Sequence, residues 1–275
     1  CAYVVHNPEA LIAMPGKTSI GAIWSSVGQD FGTPGVLDRF SQLEPVVFIH
    51  VDGYQYGGKP FDRRGEVKKI LERLTSVKHV IQLCYLDPTN PQRLTPDTMF
   101  WHELLDHPPV SREEFRYEEV GFNHPLWILF SSGTTGLPKP IMHSHGGITI
   151  EQLKHVAFNF DMRARERLFF FTTTGWMMWN FLVSSLLSDV VPVLYDGNPA
   201  WPDGDLLWKM VQDAKANLFG ASPTYQSILE KNGVVPKAKF DLSSLDSVTL
   251  AGSPVSPECQ AWFFENVKKD AWIVP

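Results

Sequence analysis

Cysteine is scarce in this 275-residue sequence, where only Cys1, Cys84 and Cys259 occur. They are odd in number and widely separated, and no pair has the spacing of a zinc site. This distribution indicates reduced thiols and excludes a disulfide framework, so we predict a cytoplasmic protein. The first ten residues contain Asn, Pro and Glu and no basic region, so they predict no secretory signal peptide.

An excess of positive charge is also missing. The sequence has 24 Lys and Arg against 30 Asp and Glu, a formal net charge of -6. A dedicated nucleic-acid binder normally has a basic surface, so we predict no nucleic-acid partner. A nucleotide binder remains allowed, because a few backbone amides and one Lys can hold a triphosphate. The 44% hydrophobic and 12% aromatic content excludes disorder and is enough for a sizeable core.

One apolar stretch, residues 168–187, contains no charge and is long enough to span a bilayer. Its polar and small residues are Thr172, Thr173, Thr174, Gly175, Asn180, Ser184 and Ser185. Such residues make membrane insertion unfavourable. The stretch therefore predicts a buried strand, a turn and a helix, and we expect no membrane partner.

Short apolar runs alternate with amphipathic segments along the chain, which predicts an α/β fold with mostly parallel sheets flanked by helices. The predicted strands are 45–51, 77–85, 126–130, 168–172, 190–195, 247–250 and 271–274. The predicted helices are 67–74, 147–158, 177–187, 206–214 and 256–267, with Asp203 or Asp205 as the cap of the fourth. Residues 88–109 predict a long loop with one short helical turn.

Both ends of the sequence are abrupt. Residues 2–5 and 271–274 already predict strands, whereas complete domains usually begin and end in polar surface segments. We therefore expect a piece of a longer protein.

The strongest functional motif is a nine-residue segment that directly follows the predicted strand 126–130. Its residues are Ser131, Ser132, Gly133, Thr134, Thr135, Gly136, Leu137, Pro138 and Lys139. The two glycines allow successive amides to point inward as an anion-binding nest. The hydroxyls donate hydrogen bonds to phosphate oxygens, and Lys139 adds a positive charge. The motif predicts a phosphate-binding loop; its position after a buried strand disfavours an ordinary Ser/Gly turn.

This segment does not have the Gly-x-x-x-x-Gly-Lys-Ser/Thr spacing of the common P-loop, which disfavours a kinase or ATPase of that class. Gly16-Lys17-Thr18 has the end of that motif, but Leu11 stands where its first glycine should be. We predict that Gly16-Lys17-Thr18 is a loop without a phosphate role.

The loop and several other segments resemble the adenylate-forming superfamily, which contains acyl-CoA synthetases, luciferases and nonribosomal-peptide adenylation domains. Segments 21–26, 30–32, 35–40 and 124–127 resemble its branch that activates short acids. Segments 173–180, 194–199 and 252–258 resemble the acetoacetate-activating members of that branch. The resemblance covers essentially the whole chain. Residues 14–18 depart from it, because they interrupt a stretch that the family runs as a helix.

The resemblance implies that residues 1–275 are part of an AMP-binding N-terminal domain, with 1–120 and 121–275 as candidate subdomains and the C-terminal domain absent. It implies an AMP-forming ligase that uses ATP and Mg²⁺ to convert acetoacetate to an acyl-adenylate and then transfers the acyl group to CoA. The family's acidic motif and catalytic Lys are expected beyond Pro275. We therefore assign no catalytic residue or metal ligand here, and expect the 275 residues alone to be inactive.

The resemblance also assigns roles within the chain. It places Ser131, Ser132, Gly133, Thr134, Thr135, Gly136 and Lys139 at the ATP phosphates. It places Trp176, Met177 and Met178 in the acyl pocket, although aromatic residues at these positions could equally belong to the core. It places Gly252, Ser253 and Pro254 at the adenine ring, which is compatible with a strand-to-helix turn capped by Ser256.

Other readings stay open. The substrate could be another short acid such as acetate, propionate or a branched acid, and the chain could be a non-catalytic nucleotide-binding remnant. His143 and His145 could ligate a metal on a strand face, but no third ligand is near in sequence. We expect them instead to orient the loop or to begin the following helix. Asp196, Asp203 and Asp205 predict turn and cap residues.

Overall fold

A computed structural model describes residues 1–131 and 136–275 of the chain. These residues form two compact units. The first contains Cys1–Ile148 and Thr173–Met177, and the second contains Thr149–Thr172 and Met178–Pro275. Each unit is built on a five-stranded parallel sheet with helices. The predicted α/β fold with mostly parallel sheets is therefore confirmed.

The first unit contains a parallel sheet and two antiparallel ribbons. Its strands are β1 (Ala2–Val4), β2 (Ser26–Gly28), β3 (Val47–Val51), β4 (Gly53–Tyr56), β5 (Lys59–Asp62), β6 (His79–Leu83), β7 (Thr98–Phe100), β8 (Pro125–Phe130) and β9 (Pro140–Ser144). The sheet has the order β2-β1-β3-β6-β7, and the ribbons are β4-β5 and β8-β9. The central strands β1 and β3 are almost wholly buried, as their continuous apolar sequences require in a parallel sheet covered by helices.

Among its described residues, the first unit has four α-helices and the beginning of a fifth. They are α1 (Pro8–Thr18), α2 (Thr33–Phe40), α3 (Arg64–Arg73), α4 (Trp101–Leu105) and the first residues of α5 (His145–Lys154). The core joins Tyr3 and Phe48 of the sheet to Phe40 of α2 and Ile70 of α3. Asn7 caps α1, because its Oδ1 accepts a hydrogen bond from the Ala10 amide at 3.0 Å.

The second unit repeats the same architecture. Its strands are β10 (Arg167–Phe170), β11 (Val191–Val193), β12 (Leu218–Ala221), β13 (Ser247–Leu250) and β14 (Trp272–Val274). Its helices are α6 (Met177–Ser184), α7 (Leu206–Ala214), α8 (Pro223–Lys231) and α9 (Pro257–Asn266). A π-helical turn, His155–Asn159, extends α5. The sheet order is β11-β10-β12-β13-β14. In both sheets the chain first adds a strand on one side of the starting strand and then returns to the other side, which is the flavodoxin-like order.

Every strand and helix predicted above overlaps an observed element of the same type. The uncharged stretch 168–187 is a buried strand, a connection and a helix, as predicted. Within the part of the chain that the structure describes, every helix is too short or too polar to cross a bilayer.

Two predictions about α1 are wrong. Residues 14–18 do not interrupt the helix, and Gly16-Lys17-Thr18 is its last turn rather than a loop. Pro15 lacks the N–H that a helix interior uses, but its exposed position and the burial of Ala13 and Met14 let the helix continue past it. The Ser19 amide then donates to the Pro15 carbonyl at 2.9 Å.

Other local predictions are also wrong or incomplete. Asp205, one of the two predicted caps, stands at the N-cap position of α7, but its side chain makes no capping hydrogen bond. Its carboxylate forms an ion pair with Lys239 at 2.6 Å, and Asp203 Oδ1 accepts a hydrogen bond from the Asp205 amide at 2.9 Å. Residues 88–109 contain the strand β7 as well as the short helix α4. The sequence analysis also did not predict β2, β4, β5, β9, β12, α2 or α8.

A buried histidine makes the stability of the first unit sensitive to acid. His50 lies in β3 and is fully buried, and burial lowers its pKa from 6.5 to about 4 although Asp52 and the Val51 carbonyl oppose the shift. His50 is therefore protonated below about pH 6.5 in the unfolded chain, but only below about pH 4 in the folded chain. We expect the free energy of unfolding to fall by up to ~3 kcal/mol over this window.

The His50→Leu variant should lose this part of the acid sensitivity. The measurement is urea unfolding at pH 7 and pH 5 for the wild type and the variant. An equal loss of stability in both proteins between these pH values would contradict the assignment.

Candidate active site around the Ser131–Lys139 loop

The predicted phosphate loop connects β8 to β9. The ends of the loop are held together, because the Ser131 amide donates to the Lys139 carbonyl at 3.0 Å. Ser132, Gly133, Thr134 and Thr135 lie outside the described residues. Gly136 has φ +114°, a conformation that favours glycine, and Lys139 is exposed. The described ends of the loop are therefore joined by antiparallel pairing.

The other edge of β8 is also paired. The Trp24 amide donates to the Leu126 carbonyl at 3.0 Å, and the Ile128 amide donates to the Trp24 carbonyl at 2.8 Å. Because a lone two-stranded ribbon is marginally stable, this third segment anchors the strand that leads into the loop. Trp24 and Trp127 are both buried.

The end of α2 contacts the same loop, and the sequence analysis missed this. The Gln42 side-chain amide donates to the Pro138 carbonyl at 2.9 Å and to the Asp38 carbonyl at 2.6 Å. Gln42 and Pro138 are 96 residues apart in sequence. In the sequence, segment 35–40 resembles the family, but no local pattern predicts that the residues just after it contact the loop.

His143 and His145 have separate structural roles. His143 lies on β9, where its Nδ1 accepts a hydrogen bond from the Trp127 indole N–H at 2.8 Å, and burial lowers its pKa. His145 begins α5, as predicted. Its ring centroid lies 5.6 Å from that of His124, and burial together with His124 lowers its pKa. Among residues 1–131 and 136–275, no group of three or more His, Cys, Asp or Glu could hold a metal ion.

The segment before the predicted acyl pocket is tied to the first sheet. The Thr174 hydroxyl lies 2.8 Å from the Val4 carbonyl and 3.1 Å from the Val27 carbonyl, and the Ser26 hydroxyl donates to the Thr174 carbonyl at 2.7 Å. Gly175 lies so close to β2 that a Cβ at this position would be 3.0 Å from the Gly28 nitrogen. These contacts fix the backbone that presents Trp176.

Trp176 is 53% exposed, so it is not a core residue. Met177 is half-buried and belongs to the first unit, whereas the half-buried Met178 belongs to the second, where it packs against the core that contains Phe181 and Leu182. Plain core packing therefore does not explain Trp176, but it does explain part of the environment of Met178.

The predicted adenine-binding residues form an exposed turn at the carboxyl end of β13. Gly252 has φ +100°, and Gly252, Ser253 and Pro254 are all exposed. The turn leads into α9, which Ser256 caps by accepting a hydrogen bond from the Cys259 amide at 3.2 Å. Ligands of open α/β sheets bind outside the carboxyl ends of the strands, so an accessible backbone at this position can serve both as a turn and as a ligand contact.

The family of the chain follows from a comparison with protein-family models. Residues 2–273 match the family model described as AMP-binding enzyme. The chain belongs to this family, which confirms the resemblance seen in its sequence.

Within the family, the chain is similar to acetoacetyl-CoA synthetases. It is 40% identical over 273 residues to acetoacetyl-coenzyme A synthetase of Rhizobium meliloti (strain 1021), covering 99% of this chain and 41% of that protein. It is 34% identical over 279 residues to acetoacetyl-CoA synthetase of Danio rerio, covering 98% and 41%. The solved structure of acetoacetyl-CoA synthetase from Streptomyces lividans superposes with a TM-score of 0.91 at 42% identity, covering 99% and 41%. The chain thus spans about 41% of the length of these relatives.

The Thr174 hydroxyl allows a test of how the acyl-pocket segment is anchored. The Thr174→Val variant keeps the shape of the side chain but loses the hydrogen bond to the strand carbonyls. We expect it to lower the free energy of unfolding by about 1–2 kcal/mol, measured by urea unfolding. Thr174→Ser keeps the hydroxyl and should lose less. Equal stability of the Val variant and the wild type would contradict this anchoring.

Proposed function

We propose that the full-length protein activates acetoacetate with ATP and transfers the acyl group to CoA, releasing AMP and pyrophosphate. The observation that carries this proposal is the match to acetoacetyl-CoA synthetases over 97–99% of the chain. The closed loop between β8 and β9 adds support, since it is the element that this chemistry needs for the ATP phosphates.

The proposed role of the loop is to hold the β- and γ-phosphates while the acid attacks the α-phosphate. Two anions approach each other in that step, so fixed donors and positive charge lower its barrier. We assign this role to Ser131, Gly136 and Lys139, together with Ser132, Gly133, Thr134 and Thr135 by sequence. The base closed by Ser131 and Lys139 supports the assignment because it fixes where the donors begin.

We assign Trp176, Met177 and Met178 to the acyl pocket. A half-exposed Trp with fixed backbone is a surface rather than a core feature, and Trp and Met provide an apolar, adaptable wall for a short acyl chain. We assign Gly252, Ser253 and Pro254 to the adenine ring, supported by their exposed backbone at a strand end.

The remaining parts of the reaction are proposed for the full-length protein. Mg²⁺ would screen the phosphate charges and CoA would accept the acyl group, but no described cluster of acidic residues or histidines fits a metal, so we assign no ligand to Mg²⁺ and no catalytic residue. We propose that residues 1–275 are one part of an adenylation domain; the two compact units of this chain divide after Ile148 rather than at the expected boundary between residues 120 and 121. A cytoplasmic location is supported by the free cysteines Cys1, Cys84 and Cys259.

The test is acid-dependent exchange of labelled pyrophosphate into ATP by the full-length protein, with acetoacetate, acetate, propionate and butyrate compared at equal concentration. We expect acetoacetate to give the highest kcat/KM, followed by thioester formation when CoA is added. A higher kcat/KM for another acid would make that acid the substrate instead of acetoacetate. The absence of exchange with every acid would overturn the proposed activity.

The Lys139→Ala variant tests the loop assignment. Loss of a charge-assisted contact to phosphate should cost about 1.5–3 kcal/mol, or roughly ten- to hundredfold in kcat/KM for ATP. The measurement is pyrophosphate exchange at subsaturating ATP, with the exposed Lys78→Ala as the matched control. An unchanged kcat/KM for ATP in Lys139→Ala would contradict the loop assignment.

The Trp176→Ala variant tests the acyl pocket. Because Trp176 is half exposed, the variant should fold with a melting temperature close to that of the wild type. We expect kcat/KM for the best acid to fall more than kcat/KM for ATP at saturating acid, and the order of preference among the four acids to change. A uniform loss for all acids would show that Trp176 has no part in acid selection.

A further inference from the structure

The carboxyl end of α2 touches both ends of the loop. Gln42 binds the Pro138 carbonyl beside the outgoing end, as described above. Three residues earlier, the Arg39 guanidinium carbon lies 5.9 Å from the ring centroid of Phe130. Phe130 is the last residue of β8 and directly precedes Ser131. Arg39 and Gln42 therefore flank the incoming and outgoing ends of the same loop.

The position of Arg39 is well defined. Its guanidinium carbon lies 4.6 Å from the Phe31 ring centroid, and its Nη1 donates to the Gly35 carbonyl at 2.8 Å. The side chain is half-buried. A guanidinium has five N–H donors, so this arrangement leaves donors available beyond the bond to Gly35.

Arg39 lacks the partner that comparable arginines have. Three arginines of the first unit stack on aromatic rings: Arg39, Arg63 on Tyr54, and Arg93 on Phe100. Arg63 forms an ion pair with Glu66 and Arg93 with Glu103. Among the residues that the structure describes, no carboxylate forms an ion pair with Arg39. Burial lowers the pKa of Arg39, although the charge of the neighbouring Asp38 carboxylate opposes the shift.

A fixed, half-buried arginine without a carboxylate is suited to an anion from outside the chain. The neighbouring loop is the site at which such an anion is proposed to bind. We propose that Arg39 is a second phosphate-binding cation, which binds the polyphosphate of ATP beside the ends of the loop. This inference rests on the proposed function. CoA also carries phosphates, so the experiment separates the two sources.

The first experiment uses the full-length wild-type protein and needs no active turnover. Phenylglyoxal modifies exposed arginines, and peptide mass spectrometry reports the rate at each site. We expect ATP to slow the modification of Arg39 several-fold and to leave Arg93 unchanged. CoA alone should not protect Arg39. An unprotected Arg39 at saturating ATP, or protection by CoA alone, would overturn the proposal.

The second experiment uses variants of the full-length protein. Arg39→Leu keeps apolar contact with the two rings but removes the charge, and Arg39→Lys keeps the charge. The matched control is Arg93→Leu, an arginine that also stacks on a ring but has its own carboxylate. A thermal melt checks that each variant folds. ATP affinity is measured by calorimetry, and KM values for ATP, acid and CoA by pyrophosphate exchange and thioester formation.

We expect Arg39→Leu to weaken ATP binding roughly tenfold or more, with Arg39→Lys closer to the wild type and Arg93→Leu unchanged. The KM values for acid and CoA should stay within about twofold, well below the tenfold effect of a lost charge contact. Equal rises in the KM values for ATP and acid would show a structural role and overturn the proposal. Failure of the proposed function is distinguishable, because exchange would then be absent with every acid while ATP binding still reports on Arg39.

Discussion

The hydrogen bond between the Ser131 amide and the Lys139 carbonyl is the constraint on which the candidate site depends. A loop that binds phosphate through backbone amides has to keep those donors in place without the ligand, because ordering them during binding would cost conformational free energy. The antiparallel pairing of β8 and β9 fixes both ends of the loop. The pairing of β8 with Trp24 then holds the ribbon itself.

The two parallel sheets supply the second constraint. Both have the order in which the chain adds a strand on one side of the starting strand and then returns to the other, and in such sheets the connections at the carboxyl ends of the strands are the accessible ones. In the second unit this rule accounts for the exposed Gly252 turn after β13. In the first unit it accounts for the connection after β2, which leads through Phe31 to α2 and so to Arg39.

Much of this could be predicted from the sequence, because continuous apolar strands and amphipathic helices leave strong patterns. These patterns predicted the strand before the loop and the helix that Ser256 caps. The spacing of the glycines and Lys139 excluded the common P-loop. The failures share a cause, which is that long-range contacts outweigh local preference. Burial of Ala13 and Met14 carries α1 past Pro15, and pairing with β6 makes a strand of Thr98–Phe100 in a segment rich in proline. Likewise, Asp205 stands at the N-cap position of α7, but its carboxylate forms an ion pair with Lys239 and makes no capping hydrogen bond.

In the candidate site, too, the local features could be predicted from the sequence and the long-range contacts could not. Its loop is contiguous in sequence, so its glycines, hydroxyls and Lys139 could be recognised together. The contacts of Gln42 with Pro138 and of Arg39 with Phe130 join segments that are more than 90 residues apart in the chain, and nothing about an Arg at the end of an amphipathic helix distinguishes it from a solvated one. Arg39 differs from the other ring-stacked arginines in its partners, which only the fold reveals. Arg63 and Arg93 have the same aromatic stacking and each forms an ion pair with a glutamate. Arg39 stacks on a ring and donates to the Gly35 carbonyl, but among the described residues it forms no ion pair. Since an arginine without a paired carboxylate is less stable in a half-buried position than a paired one, the place of Arg39 beside the proposed phosphate loop supports the proposal that an anion binds there.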